Sequence, residues 1–296
     1  MKETELIIRN AGIIGVGLIG GSYGLALKRI SDSIRVLGTD QSQAHLKKAV
    51  ELGLVDGPIA HEDWDELDLV LLCVPVDVLP ALLPEVLDRV GDNCLVVDAG
   101  STKTGACMAV RGHRKRRNYL SCHPIAGTEY SGPEAAVAHL FRGRTQIICE
   151  VERTAFNLQE LGLELFRRMG MRIRYMNPEA HDKHIAYVSH LSHISSFMLG
   201  KTVMEEEANE RDIFDMAGSG FESTVRLAKS SPDMWAPIFR QNKEQVLETL
   251  DRYITNLEQF RRWMEEDDFD SVYQTMKEIN QIRQILEGIP LTKTID

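Results

Sequence analysis

The stretch AGIIGVGLIGGSYGLALKRI, residues 11–30, decides the fold. Its first part, AGIIG (11–15), is a short apolar run of strand type, and GLIGGSYGLALKRI (17–30) has the spacing of a helix. Gly15, Gly17 and Gly20 spell G-x-G-x-x-G at the junction. The pattern alone is weak. Here it lies between a predicted strand and a predicted helix, and Asp40 ends the next predicted strand, 20 residues past the last glycine. Each position has a physical task. Gly15 permits the tight turn, Gly17 lets backbone approach a pyrophosphate, and Gly20 allows close packing of helix on strand. The amides that open the helix, at Leu18, Ile19 and Gly20, offer donors and partial positive charge to an anion. A carboxylate at position 40 accepts both ribose hydroxyls of NAD and repels the 2′-phosphate of NADP, and Gln41 and Ser42 bring no offsetting cation. NAD is the expected cofactor; the plain alternative is a glycine-rich turn that binds nothing.

The same strand–helix alternation continues to residue 176. IRVLGTD (34–40), LDLVLLCVP (67–75), CLVVDAG (94–100), NYLSCHP (118–124), TQIICEV (145–151) and MRIRYM (171–176) read as strands. Residues 42–53, 79–90 and 154–170 read as helices. Repeats of this length predict an α/β domain with a doubly wound, mostly parallel sheet over residues 1–176. From residue 177 the strand patterns stop. Asn177 followed by Pro178 is an N-cap and first-turn proline, opening a long predicted helix over 178–204. After a break at AGSGF (217–221), Val246, Leu250, Tyr253, Leu257, Phe260 and Met264 mark one apolar face of a helix over 238–266. Residues 177–296 are therefore expected to form an all-helical domain. The apolar face packs either against its own domain or against a second copy of the chain.

Composition limits the partners. A net charge of −10 argues against nucleic acid or an anionic membrane as the main partner, so an anionic ligand must meet local cations. No apolar run reaches the roughly 18 residues of a membrane span, and the polar start MKETELIIRN is not a signal peptide. Five scattered cysteines with no C-x-x-C pair suggest reduced thiols in a cytoplasmic protein with no metal site.

Ligands of such sheets lie beyond the carboxyl ends of the strands. Those ends bring together the glycine turn, Asp40, Cys73-Val74-Pro75, Asp98-Ala99-Gly100-Ser101 and His123. Ser101 and His123 are thereby expected at the nicotinamide end. An alcohol dehydrogenase needs a group to take the hydroxyl proton as hydride leaves, and histidine titrates in the right range. His123 is either that base or a turn residue bonded locally. Ser101 can bond the reacting oxygen, cap a helix starting near Thr102, or both. In the helical half, His190 and His193 share a face, whereas His181 is out of phase with them and is not expected to join them. Arg226 follows a glycine-rich turn and is either a carboxylate ligand or a surface ion pair. Lys229, Arg240 and Lys243 read as solvated.

The segments GVGLIGGSYGLALK, DAGSTK, CHPIAGTEYSG, HDKHIAYVSHLSH and AGSGFESTVRLAKSSPDMW together resemble the bacterial arogenate/prephenate dehydrogenase family, in order and over almost the whole chain. The resemblance implies a Rossmann domain that binds NAD, a helical domain that makes a homodimer, and oxidative decarboxylation of prephenate in tyrosine biosynthesis. It implies that His123 bonds the ring hydroxyl, with Ser101 as its partner near the nicotinamide, and that Arg226 binds a substrate carboxylate. It further implies that His190 and His193 line the pocket, that Thr128 and Glu129 belong to a lid, and that Trp235 lies near the dimer interface. GSGF, VRLA and SHLSH depart from the family's commoner GGGF, TRIA and SHLPH. The regulatory ACT domain of some relatives is expected to be lacking.

Three other readings compete. An arogenate or dual-specificity enzyme would need an acid for the substrate ammonium, such as Glu129 or Glu222. A non-catalytic dinucleotide sensor would not need Ser101 and His123 at neighbouring strand ends. A hydroxyacid dehydrogenase would need a lysine on the inter-domain helix, where Lys183 and Lys201 are the candidates.

Overall fold

The structure is a computed structural model that describes residues 8–208 and 212–288; the polar start MKETELI lies outside them. The first half builds a single eight-stranded sheet. Its strands are β1 (Asn10–Ile14), β2 (Arg35–Thr39), β3 (Gly57–Pro58), β4 (Leu69–Leu72), β5 (Leu95–Asp98), β6 (Tyr119–Pro124), β7 (Thr145–Cys149) and β8 (Arg172–Met176). They lie in the order β3-β2-β1-β4-β5-β6-β7-β8. β1 to β6 pair in parallel, while β7 runs antiparallel to β6 and carries β8 with it. The order reverses at β1 and β4, the switch point at which such sheets open a crevice.

Helices α1 (Leu18–Ile30), α2 (Gln43–Glu51), α3 (Leu79–Arg89), α4 (Thr104–Ala109) and α5 (Phe156–Arg168) cover the sheet. β4 shows why both faces are covered. Its four residues are all buried; Leu69 and Leu71 enter the core that includes Tyr23, Leu27 and Phe166, and Val70 and Leu72 enter the core that includes Leu83, Val86 and Tyr119. Period-two alternation with no polar face is what a strand between two helical layers requires.

The second half is helical among the described residues: α6 (Pro178–Ile185), α7 (Leu191–Glu207), α8 (Ser219–Val225), α9 (Pro232–Gln241), α10 (Lys243–Glu265), α11 (Phe269–Ile279) and α12 (Ile282–Gly288). Asn177 caps α6, its side chain accepting from the Ala180 amide at 2.7 Å. Two predicted helices are broken. The run 178–204 contains a π-turn at Ala186–His190 between α6 and α7, and the run 238–266 breaks at the buried Asn242 between α9 and α10. The N-cap and proline that open 178–204 carry no signal of a π-turn, and the apolar positions Val246 to Met264 all lie past Asn242, so the sequence marked neither break. Short β3 carried too little pattern to be foreseen, and the helix expected near Thr102 begins at Thr104 as α4.

Candidate active site

The glycine turn has the shape its sequence requires. Gly15 has φ +89°, and a Cβ there would meet the Cys73 carbonyl oxygen at 2.4 Å. A Cβ on Gly20 would lie 1.9 Å from the Gly15 carbonyl oxygen. Gly17 is different: nothing lies within 4 Å of its Cβ position, so the turn is open where a ligand backbone must approach. No side chain caps α1, which leaves its first amides, at Leu18, Ile19 and Gly20, for an anion. Asp40 is held by the amides of Val16 (2.9 Å) and Ser42 (2.8 Å), which fixes its carboxylate beside the turn. Next to it a cavity of about 190 Å³ has apolar walls from Ile14, Ile59, Trp64, Leu82 and Val86 and polar ones from Thr39, Glu85 and Arg89. Val74 and Pro75 continue from β4 beside Cys73. These residues fit a dinucleotide: an anion seat, an acid for the ribose and a partly apolar recess beside it.

Beneath the ends of β5 and β6 is a buried ion pair. Lys103 and Asp98 are both fully buried and in direct contact. Asp98 also accepts from Tyr119 Oη (2.7 Å), the Cys122 amide (3.0 Å) and the Gly100 amide (3.0 Å). Lys103 Nζ donates to the Cys122 carbonyl at 2.5 Å. Burial alone would push Lys103 down, but the adjacent carboxylate raises it above its ordinary value, so it is a cation. This pair ties the loop bearing Ser101 to the strand bearing His123. Ser101 is not the N-cap of α4, because that helix begins at Thr104 with Lys103 in the cap position. The Ser101 hydroxyl has no hydrogen-bond partner among the described residues.

His123 is buried at the end of β6, and its Nδ1 lies 2.8 Å from His181 Nε2. His181 Nδ1 in turn lies 2.8 Å from Asp182 Oδ1. His181 was not expected to join His190 and His193, and among the described residues no hydrogen bond or ring contact links it to either; its partners are His123 and Asp182. Phase counting set it apart from them but could not show that it meets His123, 58 positions away on the sheet. These contacts fix the proton positions one after another. Asp182 is held below the usual carboxylate range: burial raises it, but bonds from His181 and Thr104 outweigh that. An ionised carboxylate only accepts, so His181 Nδ1 carries hydrogen. Burial, opposed by Asp182, holds His181 below its ordinary value, so it is neutral near pH 7 and its Nε2 accepts from His123 Nδ1–H. His123 is held well below its ordinary value by burial, then by His181, Lys103 and His190. Its Nε2 is thus an unprotonated base.

Asp182 has a second task. Its carboxylate accepts from the Lys103 amide (2.7 Å) and the Thr104 amide (2.9 Å), capping α4 from the helical domain. Asn242 donates to the Asp182 carbonyl at 2.7 Å and to His190 Nδ1 at 3.3 Å. With Nδ1 accepting, neutral His190 carries hydrogen on Nε2; burial pushes its pKa down to about 4. That Nε2 and the Trp235 Nε1 are buried donors without a protein partner among the described residues. His193 stacks on Trp235, with ring centroids 3.5 Å apart, and His190 meets the same ring edge-on at 5.8 Å. Trp235 is 6% exposed and packs against Val76 of its own chain, so its burial does not depend on a second copy.

Arg226 lies just past α8 and pairs with Glu129 Oε2 at 3.1 Å, while half of its side chain stays exposed. It is near enough to His193 to help burial lower that imidazole. Thr128, beside Glu129, is exposed and accepts from the Tyr130 amide. Burial raises the thiols of Cys73, Cys94, Cys107, Cys122 and Cys149, so none is a thiolate near neutral pH. Among the described residues no three His, Cys, Asp or Glu side chains group as metal ligands.

Two family models cover this architecture. Residues 23–175 match the prephenate dehydrogenase nucleotide-binding domain, and residues 177–278 match the prephenate dehydrogenase dimerization domain. The chain belongs to the prephenate dehydrogenase family. The resemblance read from its motifs holds, and membership makes it an oxidoreductase with a nucleotide-binding α/β domain and a helical second domain. The cyclohexadienyl dehydrogenase of Zymomonas mobilis is 29% identical over 285 residues, 95% of this chain and 97% of that protein. The prephenate dehydrogenase of Bacillus subtilis is 29% identical over 295 residues, 98% of this chain and 77% of that protein. The prephenate dehydrogenase of A. aeolicus, solved in complex with hydroxyphenyl propionate and NAD+, superposes with a TM-score of 0.87 at 29% identity, covering 96% of this chain and 100% of that one.

The family match leaves unexplained three residues that sequence reading passed over, Lys103, Asp182 and Asn242, and the partner of a fourth, His181. Lys103, His181 and Asp182 stood in quoted motifs and Asn242 in a predicted helix, but their partners lie 52 to 79 residues away in the chain or, for Lys103, across a buried strand end.

Proposed function

We propose that the chain catalyses the NAD-dependent oxidative decarboxylation of prephenate to 4-hydroxyphenylpyruvate, with His123 as proton acceptor. The observation that carries this reading is the Asp182–His181–His123 chain, which delivers a neutral imidazole with Nε2 basic at the end of β6, on the sheet edge that also carries the dinucleotide turn. NAD, when bound, accepts the hydride. His123 Nε2 takes the hydroxyl proton, and His181 and Asp182 stabilise the positive charge that results. Loss of hydride and proton turns the ring carbinol into a ketone. The bond from the opposite ring carbon to its carboxylate then breaks, CO2 departs, and the electron pair enters the ring as it aromatises. The proton returns from His123 to the phenolate oxygen, so none is released overall. Arg226 takes a substrate carboxylate by exchanging its bond with Glu129. The buried N–H donors of His190 and Trp235 suit substrate oxygens, Ser101 bonds the reacting hydroxyl, and Thr128 belongs to the lid with Glu129. Holding the dianion still is the remaining task, since aromatisation supplies the driving force.

Glu129, already beside Arg226, is also placed to meet a substrate ammonium, which favours arogenate as a second substrate. The chain works as two domains, 1–176 for NAD and 177–296 for substrate and dimerisation. Leu257, Phe260 and Met264 of α10 and Phe269, Tyr273 and Met276 of α11 are exposed, so this apolar face is not buried in its own domain and suits a homodimer. A cytoplasmic location is our reading, supported by five free cysteines; no described helix is long and apolar enough to cross a membrane. The test follows NADH and CO2 with prephenate, then with arogenate, then with NADP in place of NAD. Equal amounts of NADH and CO2 from prephenate and NAD are expected. No turnover of either cyclohexadienyl compound overturns the reading.

A further inference from the structure

A second cavity lies away from the catalytic histidines, between the end of α1, the end of α5 and the loop before β7. It holds about 470 Å³. Arg29, Arg142, Arg168 and His139 line it, and Phe141 and Met169, both buried, give it an apolar wall. The lining contains no Asp or Glu, although the chain carries a net charge of −10. Arg168 is paired outside the lining, with Glu164 at 2.8 Å. Among the described residues neither Arg29 nor Arg142 has a carboxylate within ion-pair distance. Arg29 Nη1 instead contacts the His139 ring, 2.7 Å from Nδ1 and 2.9 Å from Nε2. An imidazole carries no negative charge in either protonation state, so it does not neutralise a guanidinium. Two guanidinium groups at one recess without a counter-charge repel each other and create a local positive field in an acidic protein.

We infer that this cavity is a binding site for a small organic anion carrying two oxyanion charges on an apolar body. The forks of Arg29 and Arg142 bind the oxyanions in bidentate fashion, and the Phe141–Met169 wall takes the apolar part. The site is separate from the pyrophosphate turn at the opposite end of α1. It is nonetheless built by the chain segment that leaves His123. That segment passes Glu129, which pairs with Arg226, and ten residues later supplies His139 and then Arg142. A ligand here ties the far end of that loop to α1 and α5.

The test is calorimetric titration of the NAD-saturated enzyme with phenyl phosphate, with inorganic phosphate as the probe lacking an apolar body and chloride at equal ionic strength as control. Saturable binding of phenyl phosphate is expected, tighter than that of inorganic phosphate. An Arg29→Gln/Arg142→Gln variant should weaken it at least about tenfold, the loss expected for one charge-assisted bond. Both side chains are exposed and outside the catalytic machinery, so the variant should keep its fold and its basal turnover. An Arg29→Lys/Arg142→Lys variant, which keeps charge but not the fork, should fall between the two. No saturable binding, or an affinity unchanged in the Gln variant, overturns the inference; the latter places the anion in the substrate site.

Discussion

Asp182→Asn is the substitution that separates the proposed relay from a merely structural carboxylate. In the wild type, Asp182 Oδ1 accepts from both the Lys103 amide and His181 Nδ1, and Oδ2 accepts from the Thr104 amide. An asparagine can replace only one of these oxygens. With its oxygen at the Oδ1 position, its NH2 faces the Thr104 N–H, donor against donor. With its oxygen at the Oδ2 position, the NH2 faces the Lys103 N–H and donates to His181 Nδ1. His181 must then carry its proton on Nε2, His123 Nδ1 must accept, and the His123 proton sits on Nε2, where the base should be. In either orientation the negative charge that stabilises a protonated His123–His181 pair is gone. A hydrogen bond to a charged group is worth about 1.5–3 kcal/mol, which at 1.36 kcal/mol per decade predicts a kcat loss on the order of 10- to 10²-fold. The lost cap on α4 costs about 1–3 kcal/mol of stability. The assay pairs steady-state NADH formation with a thermal melt and an NAD titration. A lower Tm with unchanged NAD affinity and the stated fall in kcat is expected. A folded variant whose kcat stays within about twofold of wild type refutes the relay.

Other perturbations test other parts of the account. Gly17→Ala places its methyl group in open space, so the melt should not move while the KM for NAD rises; Gly20→Ala meets the Gly15 carbonyl and should lower Tm sharply, and equal melts for the two would contradict the turn geometry. Arg226→Ala should raise the KM for prephenate by on the order of 10- to 10²-fold with a smaller change in kcat, and an unmoved KM removes Arg226 from the carboxylate site. Stability should fall as pH drops below about 6.5, because His123, His181 and His190 are all held below their ordinary value in the folded chain while the unfolded chain takes up their protons. His190 alone, displaced to about 4, contributes up to ~3 kcal/mol of that loss by the time its folded pKa is reached, and a flat denaturation midpoint across this window would contradict its burial as a neutral group.

What the sequence made legible was local or periodic. Gly15, Gly17, Gly20 and Asp40 lie within one βαβ unit, and each answers a constraint readable from spacing: a turn, an approach, a packing contact and a strand end. His123 was reachable by the same logic, because strand ends collect on one edge of a parallel sheet. His181 was set apart from His190 and His193 by its phase, but its partner His123 lies 58 positions away on the sheet, which no helical phase registers. Asp182 was missed for the same reason. Its role is to cap α4, a helix of six residues in the other domain, and no periodicity in α6 registers a partner 78 or 79 positions away. Asn242 shows the same limit, since it lies just before the apolar face that opens at Val246 and bonds back to Asp182 and His190. Long-range polar contacts of this kind arise from the tertiary arrangement of the two domains and have no sequence period.

The base itself is the point on which the rest depends. His123→Asn keeps a polar side chain able to bond His181 but has no basic nitrogen. Single-turnover formation of NADH from prephenate, with NAD saturating and its affinity measured in the same preparation, should slow by on the order of 10²- to 10⁴-fold while NAD binds as in the wild type. NADH formation at the wild-type rate in that variant would contradict the assignment of His123 as the proton acceptor.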